Sequence, residues 1–496
     1  MIIPSPLLQS IIVPVIASAI IGALGRKFRY SAGWIASAVL IYSDILLILV
    51  GTKLWLGIES IHEEYIWSEV TNLKLTLLAD GLSLPTALIM NLICTACAFY
   101  SMPYIRHRIE VLYGEERPGL YALYFSLYLL FAVGLTGVSF STNLIAMYLF
   151  VELALIPSYF MIDLYGYIDR HRIAIMYFIW NHVGAGLFLI GIVLAYIANG
   201  GSFEISALSL IGDRWALWIC FFILIGWLIK MAVFGFHVWL PYAHGEHPTS
   251  IAAIIATIVG LGNYVIVRIL VGQLFKTFEL LAFPLMMWSL ITMIYGAFLT
   301  IAQDDIKRLY ACSTVSQTAY SLLGIASCTA FGITGGVFYF LSHIIGKCIL
   351  FSVAGIIVYE TGIRDMKKLG GLGKKMPLTV TLCILGSMIL SAIPPLSGFQ
   401  AEWIMFVGIF RHGFHGSTMG LLIALMGIFA TFLTLAYTFW PIKRIFFGPL
   451  PDELRNVERA PLTMTLPLLI LAIISLILGI YPDILMRFLN SAISAS

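Results

Sequence analysis

The chain has 496 residues, of which 60% are hydrophobic and only 11% are charged. Soluble domains carry about 25% charged residues, so this composition excludes a water-soluble fold and indicates a membrane protein. The formal net charge of +3 is too small for the basic face that a nucleic-acid-binding protein needs. The seven cysteines lie mostly in apolar segments, and Cys94 and Cys97 have no second pair beside them. We therefore expect buried thiols rather than a metal or redox site, and no cofactor.

Fourteen apolar runs, bounded by charges, glycine or proline, approach or exceed the roughly 20 residues that one helical crossing needs. The sequence thus predicts an all-α polytopic membrane protein with about fourteen transmembrane helices. The first run has an uncharged start and leads into further runs, which indicates a membrane helix rather than a signal peptide. The predicted spans are residues 8–25, 33–56, 81–104, 119–139, 142–165, 173–198, 215–241, 249–272, 280–302, 308–328, 333–359, 377–410, 418–445 and 461–485.

The basic residues of the connecting loops alternate between the two sides of the membrane, and cytoplasmic loops hold the excess. One side has 19, namely Arg26, Lys27, Arg29, Arg106, Arg108, Arg117, Arg170, Arg172, Lys307, Arg308, Arg364, Lys367, Lys368, Lys374, Lys375, Lys443, Arg444, Arg455 and Arg459. The other side has 7, namely Lys53, Lys74, Arg214, Arg268, Lys276, Arg411 and Arg487. This bias predicts that both termini face outward from the cell membrane.

Two spans carry helix-breaking residues. Gly235 and Pro241 follow Lys230 in the seventh span, and Pro394 and Pro395 precede Glu402 in the twelfth. Proline at that depth frees backbone groups that need partners in protein or water. Paired broken helices indicate a transport site in a repeat-built carrier, although each alone is also typical of a packing kink.

The spacing of polar residues suggests that the chain contains an internal repeat. The interval from Lys230 to Glu402 is close to the interval from His182 to His343. Five helices per unit would give the two units opposite orientations, unless the spacing is coincidental. We predict one membrane domain over residues 1–496, without a long lateral helix at its end. Its parts are three N-terminal helices in 8–104, a first repeat in 119–272, a second in 280–445 and a last helix in 461–485.

Glu152, Lys230, Lys347 and Glu402 lie well inside apolar runs. Each would cost about 2.5–3.5 kcal/mol at a helix centre, so we expect each to be paired, neutralised or hydrated. His343 and Lys347 are separated by one helical turn and share one helix face, which favours a neutral histidine suited to a proton relay. If Glu152 and Lys230 are adjacent, they form an ion pair whose opening releases or takes up a proton; the alternative is a static salt bridge.

For other polar residues the sequence is compatible with a structural or a functional role. A lone histidine in a helix is usually a hydrogen-bonded core residue, which is our interpretation of His182 and His237. His244, Glu246 and His247 follow the seventh span and are compatible with a proton-uptake site or a hydrated turn.

Five stretches of the chain resemble antiporter-like subunit M, or chain 4, of complex I, the NADH:quinone oxidoreductase. The superfamily also contains subunits of Mrp antiporters and of membrane-bound hydrogenases, and the resemblance covers residues 80–450. The stretches are LFVELALIPSYFMIDLYGY, KMAVFGFHVWLPYAHGEHPTS, DIKRLYACSTVSQTAYSLLGI, FYFLSHIIGKCILFSVAGIIVYETGIRDMKKLGGL and PPLSGFQAEWIMFVG.

The resemblance implies fourteen helices with two inverted five-helix repeats, each providing a half-channel. It assigns Glu152 and Lys230 to the ion pair of the first half-channel, His343 and Lys347 to the central axis, and Glu402 to the exit. It also implies a proton-translocating subunit that contacts other membrane-arm subunits and lipid, and has no redox centre of its own.

The chain departs from the family pattern in two places. The eighth span has Gly260 and Leu261 where the family places an ionisable residue, and the tenth has Gln317 where subunit M has histidine. A proton path would then depend on water with Asn263, Gln317 and His182.

Three other functions fit the same sequence. A sodium/proton antiporter or hydrogenase-linked pump would share this fold, and genes for neighbouring subunits would distinguish them. A stand-alone solute carrier would be active when purified alone. A degenerate scaffold would show no change in proton flux when Lys230 is replaced.

Overall fold

The computed structural model describes residues 4–69, 73–416 and 418–493. Most of them lie in helices, and one antiparallel β-hairpin stands between the second and third helices. The strands are β1 (Ile61–Ser68) and β2 (Leu73–Ala79). The helices are α1 (Pro6–Phe28), α2 (Ser31–Trp55), α3 (Ser83–Tyr113), α4 (Pro118–Phe140), α5 (Leu144–Tyr165), α6 (Arg170–Ala198), α7 (Asp213–Lys230), α8 (Trp239–Glu246), α9 (Thr249–Val265), α10 (Phe275–Leu280), α11 (Ala282–Ile301), α12 (Ile306–Ala326), α13 (Ala330–Thr361), α14 (Pro377–Leu390), α15 (Ser397–Gly416), α16 (Thr418–Phe446), α17 (Leu462–Ile480) and α18 (Asp483–Ile493).

Eleven helices of the described chain are long and apolar enough to cross a membrane, which confirms a multi-span membrane protein. The other three predicted spans correspond to the α7 and α8 pair, to α12, and to the α14 and α15 pair. Two of these are interrupted, and α12 is rich in hydroxyl and charged side chains. The count of fourteen therefore stays a prediction.

Both predicted helix breaks are present. After α7 the backbone turns at Ala232 and Gly235, with φ of 55° and 94°, and after α14 it turns at Ala392, with φ of 51°. The offset from the end of α7, at Lys230, to the end of α14, at Leu390, nearly equals the offset from His182 to His343. It is shorter than the offset from Lys230 to Glu402. Lys230 ends the helix before the first break, whereas Glu402 lies on the helix after the second break.

The centre of the bundle is formed by α9 and α13. Both are 94% buried in their most apolar stretch, and they pack against each other with α3 and α12 beside them. In contrast, α1, α2, α6 and α16 expose rows of large apolar side chains, as expected for helices that face lipid or neighbouring subunits.

Two local features differ from the predicted elements. The hairpin pairs Ile61 with Ala79 and Tyr65 with Leu75, in a stretch outside the predicted spans. Alternating side chains over so few residues favour a strand pair rather than a helix. The predicted last helix over 461–485 is two helices, because α17 ends at Ile480 and Pro482 immediately precedes α18.

A largely buried ion pair joins the start of α3 to the end of α9. Both nitrogens of the Arg268 fork donate to the carboxylate of Asp80 at 2.7 Å. Arg268 lies in a π-helical turn, Ile266–Val271, that continues α9. Burial alone would raise the pKa of Asp80, but Arg268 holds it well below its ordinary value. The pair thus stabilises the fold at all pH values above the carboxylate's ordinary range and weakens only in strong acid.

We expect Asp80→Asn to destabilise the protein by about 3–5 kcal/mol, because it leaves the Arg268 guanidinium buried without a counter-charge. The melting temperature and yield of the assembled complex measure this. Glu64→Gln is the matched control, since the Glu64–Lys74 pair at 2.7 Å lies on the exposed hairpin and should contribute little. Equal stability of the two variants would contradict a structural role for the buried pair.

Candidate site of buried ionisable residues

Lys230 is the last residue of α7 and is only 3% exposed. Its position is set by a close crossing of α6 and α7: a β-carbon on Gly226 would lie 2.6 Å from the carbonyl oxygen of Gly184. The aliphatic stem of Lys230 rests against Gly184. Among the described residues Lys230 makes no ion pair within 4.0 Å, and the C-terminal end of α7 provides a partial negative charge beside it.

Glu152 on α5 is placed beside a histidine rather than beside the lysine. Its Oε2 lies 3.5 Å from Nδ1 of His182, and its Oε1 is buried with no hydrogen-bond partner in the described chain. The His182 side chain is 53% exposed and that of Glu152 is 13% exposed. Lys230 and Glu152 therefore contact α6 at neighbouring positions, Gly184 and His182. The predicted direct contact between the two charges is not seen.

The backbone freed by the first break is satisfied by α11. The amide of Phe234 donates to the hydroxyl of Thr292 at 3.1 Å, and the indole of Trp288 donates to the carbonyl of Phe234 at 2.9 Å. His237 shares a hydrogen bond with the hydroxyl of Tyr295 at 3.0 Å. His237 is therefore hydrogen-bonded as interpreted, but it is only partly buried, and its Nδ1 has no partner among the described residues. The interpretation of His182 as a core residue is wrong, since its side chain is 53% exposed.

A second group of ionisable residues lies at the end of α8. His244 and His247 are fully buried, and both ring nitrogens of His244 lack a hydrogen-bond partner within the described residues. The Nζ of Lys307 donates to the carbonyl of His247 at 2.6 Å and lies 3.9 Å from the centre of the Tyr167 ring. The sequence predicts Lys307 as a loop charge, but the structure buries it completely.

Arg364 joins this group to the second half of the chain. Its guanidinium lies 3.6 Å from the carboxylate of Glu246 and 2.8 Å from that of Asp305. The short helix α8 is thereby held against the start of α12.

His343 and Lys347 lie on α13 at the centre of the bundle. The Nζ of Lys347 donates to the carbonyl of Tyr310 at 2.8 Å and to the hydroxyl of Ser313. The Nε2 of His343 is buried without a partner in the part of the chain that the structure describes. Both side chains are buried in the interior of the bundle, one helical turn apart on α13.

Gln317 on α12 connects three helices. Its amide nitrogen donates to the hydroxyls of Tyr437, at 2.7 Å, and Thr434, at 3.2 Å. Its amide oxygen accepts from Tyr339 at 2.8 Å. Tyr320 shares a further hydrogen bond with Thr434 at 3.1 Å. The residue that departs from the family pattern therefore forms a polar network across α12, α13 and α16.

Glu402 lies on α15, beyond the second break, and is 7% exposed. The hydroxyl of Thr431 donates to its Oε1, while Oε2 is buried and unpartnered among the described residues. The first turn of α15 is fixed by Ser397, whose hydroxyl shares hydrogen bonds with Ser342 at 2.6 Å and Ser475 at 2.7 Å.

The uncharged middle of α9 separates the two halves of the site. A β-carbon on Gly260 would lie 2.6 Å from the Phe340 ring, so the present packing has no room for a longer side chain there. One turn later, both amide atoms of Asn263 are buried without partners in the described chain, as is the indole nitrogen of Trp227. Gly262 contacts Met231 and Trp227, so this part of α9 packs closely against the end of α7.

Buried polar atoms in native proteins nearly always have a partner, which is ordered water where protein offers none. Unpartnered atoms on Asn263, His343 and Glu402 lie on the helices between the two breaks and just beyond the second. Lys230 and Lys347 are further buried polar groups in this part of the bundle.

Comparison with known proteins identifies the family of this arrangement. Residues 141–434 match the family described as NADH:quinone oxidoreductase/Mrp antiporter, TM. The chain is 30% identical over 430 residues to NAD(P)H-quinone oxidoreductase chain 4 1 of Synechococcus sp. (strain JA-2-3B'a(2-13)), covering 85% of this chain and 78% of that protein. It is 28% identical to F(420)H(2) dehydrogenase subunit M of Methanosarcina mazei, covering 85% and 84% of the two chains.

Solved structures show the same fold. A chain of the Mrp complex from Dietzia sp. DQ12-45-1b matches with a TM-score of 0.87 and 21% identity over 99% of this chain and 97% of that chain. A chain of respiratory complex I from Thermus thermophilus matches with a TM-score of 0.87 and 20% identity, over 99% and 98%.

The close helix crossing at Lys230 leads to a prediction. Gly226→Ala should destabilise the protein by about 1–3 kcal/mol, because its β-carbon would meet the backbone of Gly184 and Phe188. Gly186→Ala on α6 is the control, since a β-carbon there meets nothing within 4 Å. Thermal unfolding of the two variants measures the difference. A melting temperature of Gly226→Ala equal to that of the parent would contradict the close crossing of α6 and α7.

Proposed function

The chain belongs to the NADH:quinone oxidoreductase/Mrp antiporter transmembrane family, and we propose that it is a proton-translocating membrane-arm subunit of a complex I-like oxidoreductase. The names of its relatives, which include several quinone oxidoreductase chains 4, favour this activity over sodium/proton exchange. In this proposal redox energy released in partner subunits drives the proton, and this chain carries no redox centre of its own.

The observation that carries the proposal is the series of buried ionisable and polar groups between the two helix breaks. Lys230 stands at the first break and Glu402 just beyond the second, each 7% exposed or less. His343 and Lys347 lie between them on the central helix α13. Ionisable residues inside a membrane bundle are costly, and their usual role there is in ion pathways.

We assign each residue one step. Lys230 takes up a proton from the side of the Lys- and Arg-rich loops. Water at Asn263 passes it across α9 to His343 and Lys347. The Gln317 network then leads to Glu402, which releases the proton on the opposite side. The free Nε2 of His343 and Oε2 of Glu402 are available for such water, since neither has a partner among the described residues.

Glu152, which contacts α6 beside Lys230, adjusts the proton affinity of Lys230. Its charge stabilises protonated Lys230 when the two groups approach, and His182 competes for the same carboxylate at 3.5 Å. A change in which partner Glu152 faces would alter the proton affinity of Lys230, since an opposite charge favours the charged form. In our proposal Glu152 therefore alternates between two partners, Lys230 and His182.

We also propose an arrangement for the whole chain. Residues 119–272 and 280–445 form two inverted repeats, both termini face outward, and the protein resides in an energy-transducing membrane. Its partners are other membrane-arm subunits, as in the multi-subunit complexes whose chains share its fold.

Glu152→Gln should lower the number of protons pumped per electron while the complex still assembles, because the amide cannot supply the charge that tunes Lys230. Proton uptake and quinone reduction are measured together in proteoliposomes. Glu279→Gln, an exposed carboxylate on α10, is the control. A normal proton-to-electron ratio in Glu152→Gln would remove this residue from the mechanism.

Asn263→Leu should slow proton transfer without loss of stability, because it removes an amide whose two atoms have no protein partner in the described chain. Thr257→Val on the same helix is the control, since the Thr257 hydroxyl donates to its own helix at Ile254. Proton flux at saturating substrate and the melting temperature are compared. Unchanged flux in Asn263→Leu would exclude a water path at this residue.

A further inference from the structure

A groove outside the proposed proton path lies where α2, α3, α17 and α18 meet. It has a volume of about 590 Å³ and is almost entirely apolar. Its walls include Ile48 of α2, Leu84 and Leu88 of α3, Ile474 of α17 and Phe488 of α18. Such a concave apolar surface on a membrane-spanning protein suits a hydrocarbon chain.

The groove continues into a polar cavity of about 470 Å³ at the end of the bundle that carries the hairpin. Trp55 and Phe488 line both spaces, so the two are adjacent. Arg487, Glu59 and Asp80 contribute the charges of the cavity. An apolar groove that opens into a charged cavity is complementary to an amphiphilic molecule, which has an apolar tail and a charged headgroup.

Two of these three charged side chains have no ion-pair partner among the described residues. Asp80 is neutralised by Arg268. The guanidinium of Arg487 lies 4.5 Å from the centre of the Trp55 ring, and it makes no ion pair with any residue that the structure describes. Glu59 is exposed and likewise has no ion-pair partner in the described ranges. One free cation and one free anion therefore line the same cavity within the described part of the chain.

Helix α18 places Arg487 at this boundary. Leu485 and Leu489 are buried against the bundle, while Arg487 between them is exposed. A short amphipathic helix of this kind lies at the membrane surface, at the level of lipid headgroups. Tryptophan, here Trp55, is also enriched at that level.

We propose that this groove binds a phospholipid whose headgroup carries both a phosphate and a primary ammonium, of the phosphatidylethanolamine class. The acyl chains lie along Leu84 and Leu88, the phosphate meets Arg487 and the ammonium meets Glu59. A phosphate alone would leave Glu59 unmatched, and an apolar helix of a partner subunit would leave both charges unmatched.

The test uses the assembled complex purified in detergent and native mass spectrometry of its bound lipid. The probes are vesicles of phosphatidylethanolamine, phosphatidylglycerol or phosphatidylcholine, offered after delipidation. Arg487→Gln should lose most retention of all three lipids. Glu59→Gln should lose only the preference for phosphatidylethanolamine over phosphatidylglycerol.

Two further variants separate binding from general damage. Arg411→Gln is the matched control, because Arg411 also stacks on an aromatic ring, that of Phe331, but lies away from the groove. Gly51→Leu fills the groove, since a β-carbon at Gly51 makes only an ordinary contact of 3.5 Å with Leu84. It should exclude every lipid, whereas Arg411→Gln should retain lipid like the parent.

Equal retention by the parent, Arg487→Gln and Gly51→Leu would overturn the proposal. Cross-linking of the Leu88→Cys variant to another subunit would also overturn it, because a protein would then occupy the groove. Since Arg487 is exposed, Arg487→Gln leaves the packed bundle intact and keeps the test decisive if Gly51→Leu fails to assemble.

Discussion

Ionisable side chains in the middle of a membrane are costly unless a partner or water meets them, and this constraint organises the bundle. The ammonium of Lys347 donates hydrogen bonds to a backbone carbonyl and a serine hydroxyl, and the carboxylate of Glu402 accepts one from a threonine hydroxyl. His343 and Asn263 keep polar atoms without a protein partner in the described chain. The helix breaks lie beside these groups, where unwound backbone is tolerated because neighbouring side chains satisfy it.

The two helix breaks differ in where their charged residues lie. Lys230 ends α7, immediately before the first break, whereas α14, the helix before the second break, ends at Leu390. The second half instead has its amine on α13, as Lys347, and its carboxylate on α15, as Glu402. A path that runs from one half to the other thus meets different groups in each, which suits uptake at one end and release at the other. Between them, α9 offers no ionisable side chain at its centre, and Phe340 closes the space beside Gly260.

Composition and hydropathy predict the features that depend on burial alone: many membrane helices, two breaks, and interior positions for Lys230, His343, Lys347 and Glu402. They cannot predict which side of α6 faces Glu152, because the rotation of a helix about its axis depends on packing that hydropathy does not encode. The contact of His182 with Glu152 is therefore missing from the sequence prediction. Lys307 is predicted in a loop because of its charged neighbours, although the first turn of α12 turns it inward. The network around Gln317 depends on three helices distant in sequence, and the hairpin is too short and polar for a hydropathy window.

The central claim is that water joins the buried groups into one continuous line. A cryo-electron microscopy map of the assembled complex, at a resolution that shows ordered water, tests it most directly. We expect waters at the amide of Asn263, at Nε2 of His343 and at Oε2 of Glu402, linked by hydrogen bonds from Lys230 onward. Dry, tightly packed protein between Lys230 and His343 would contradict it.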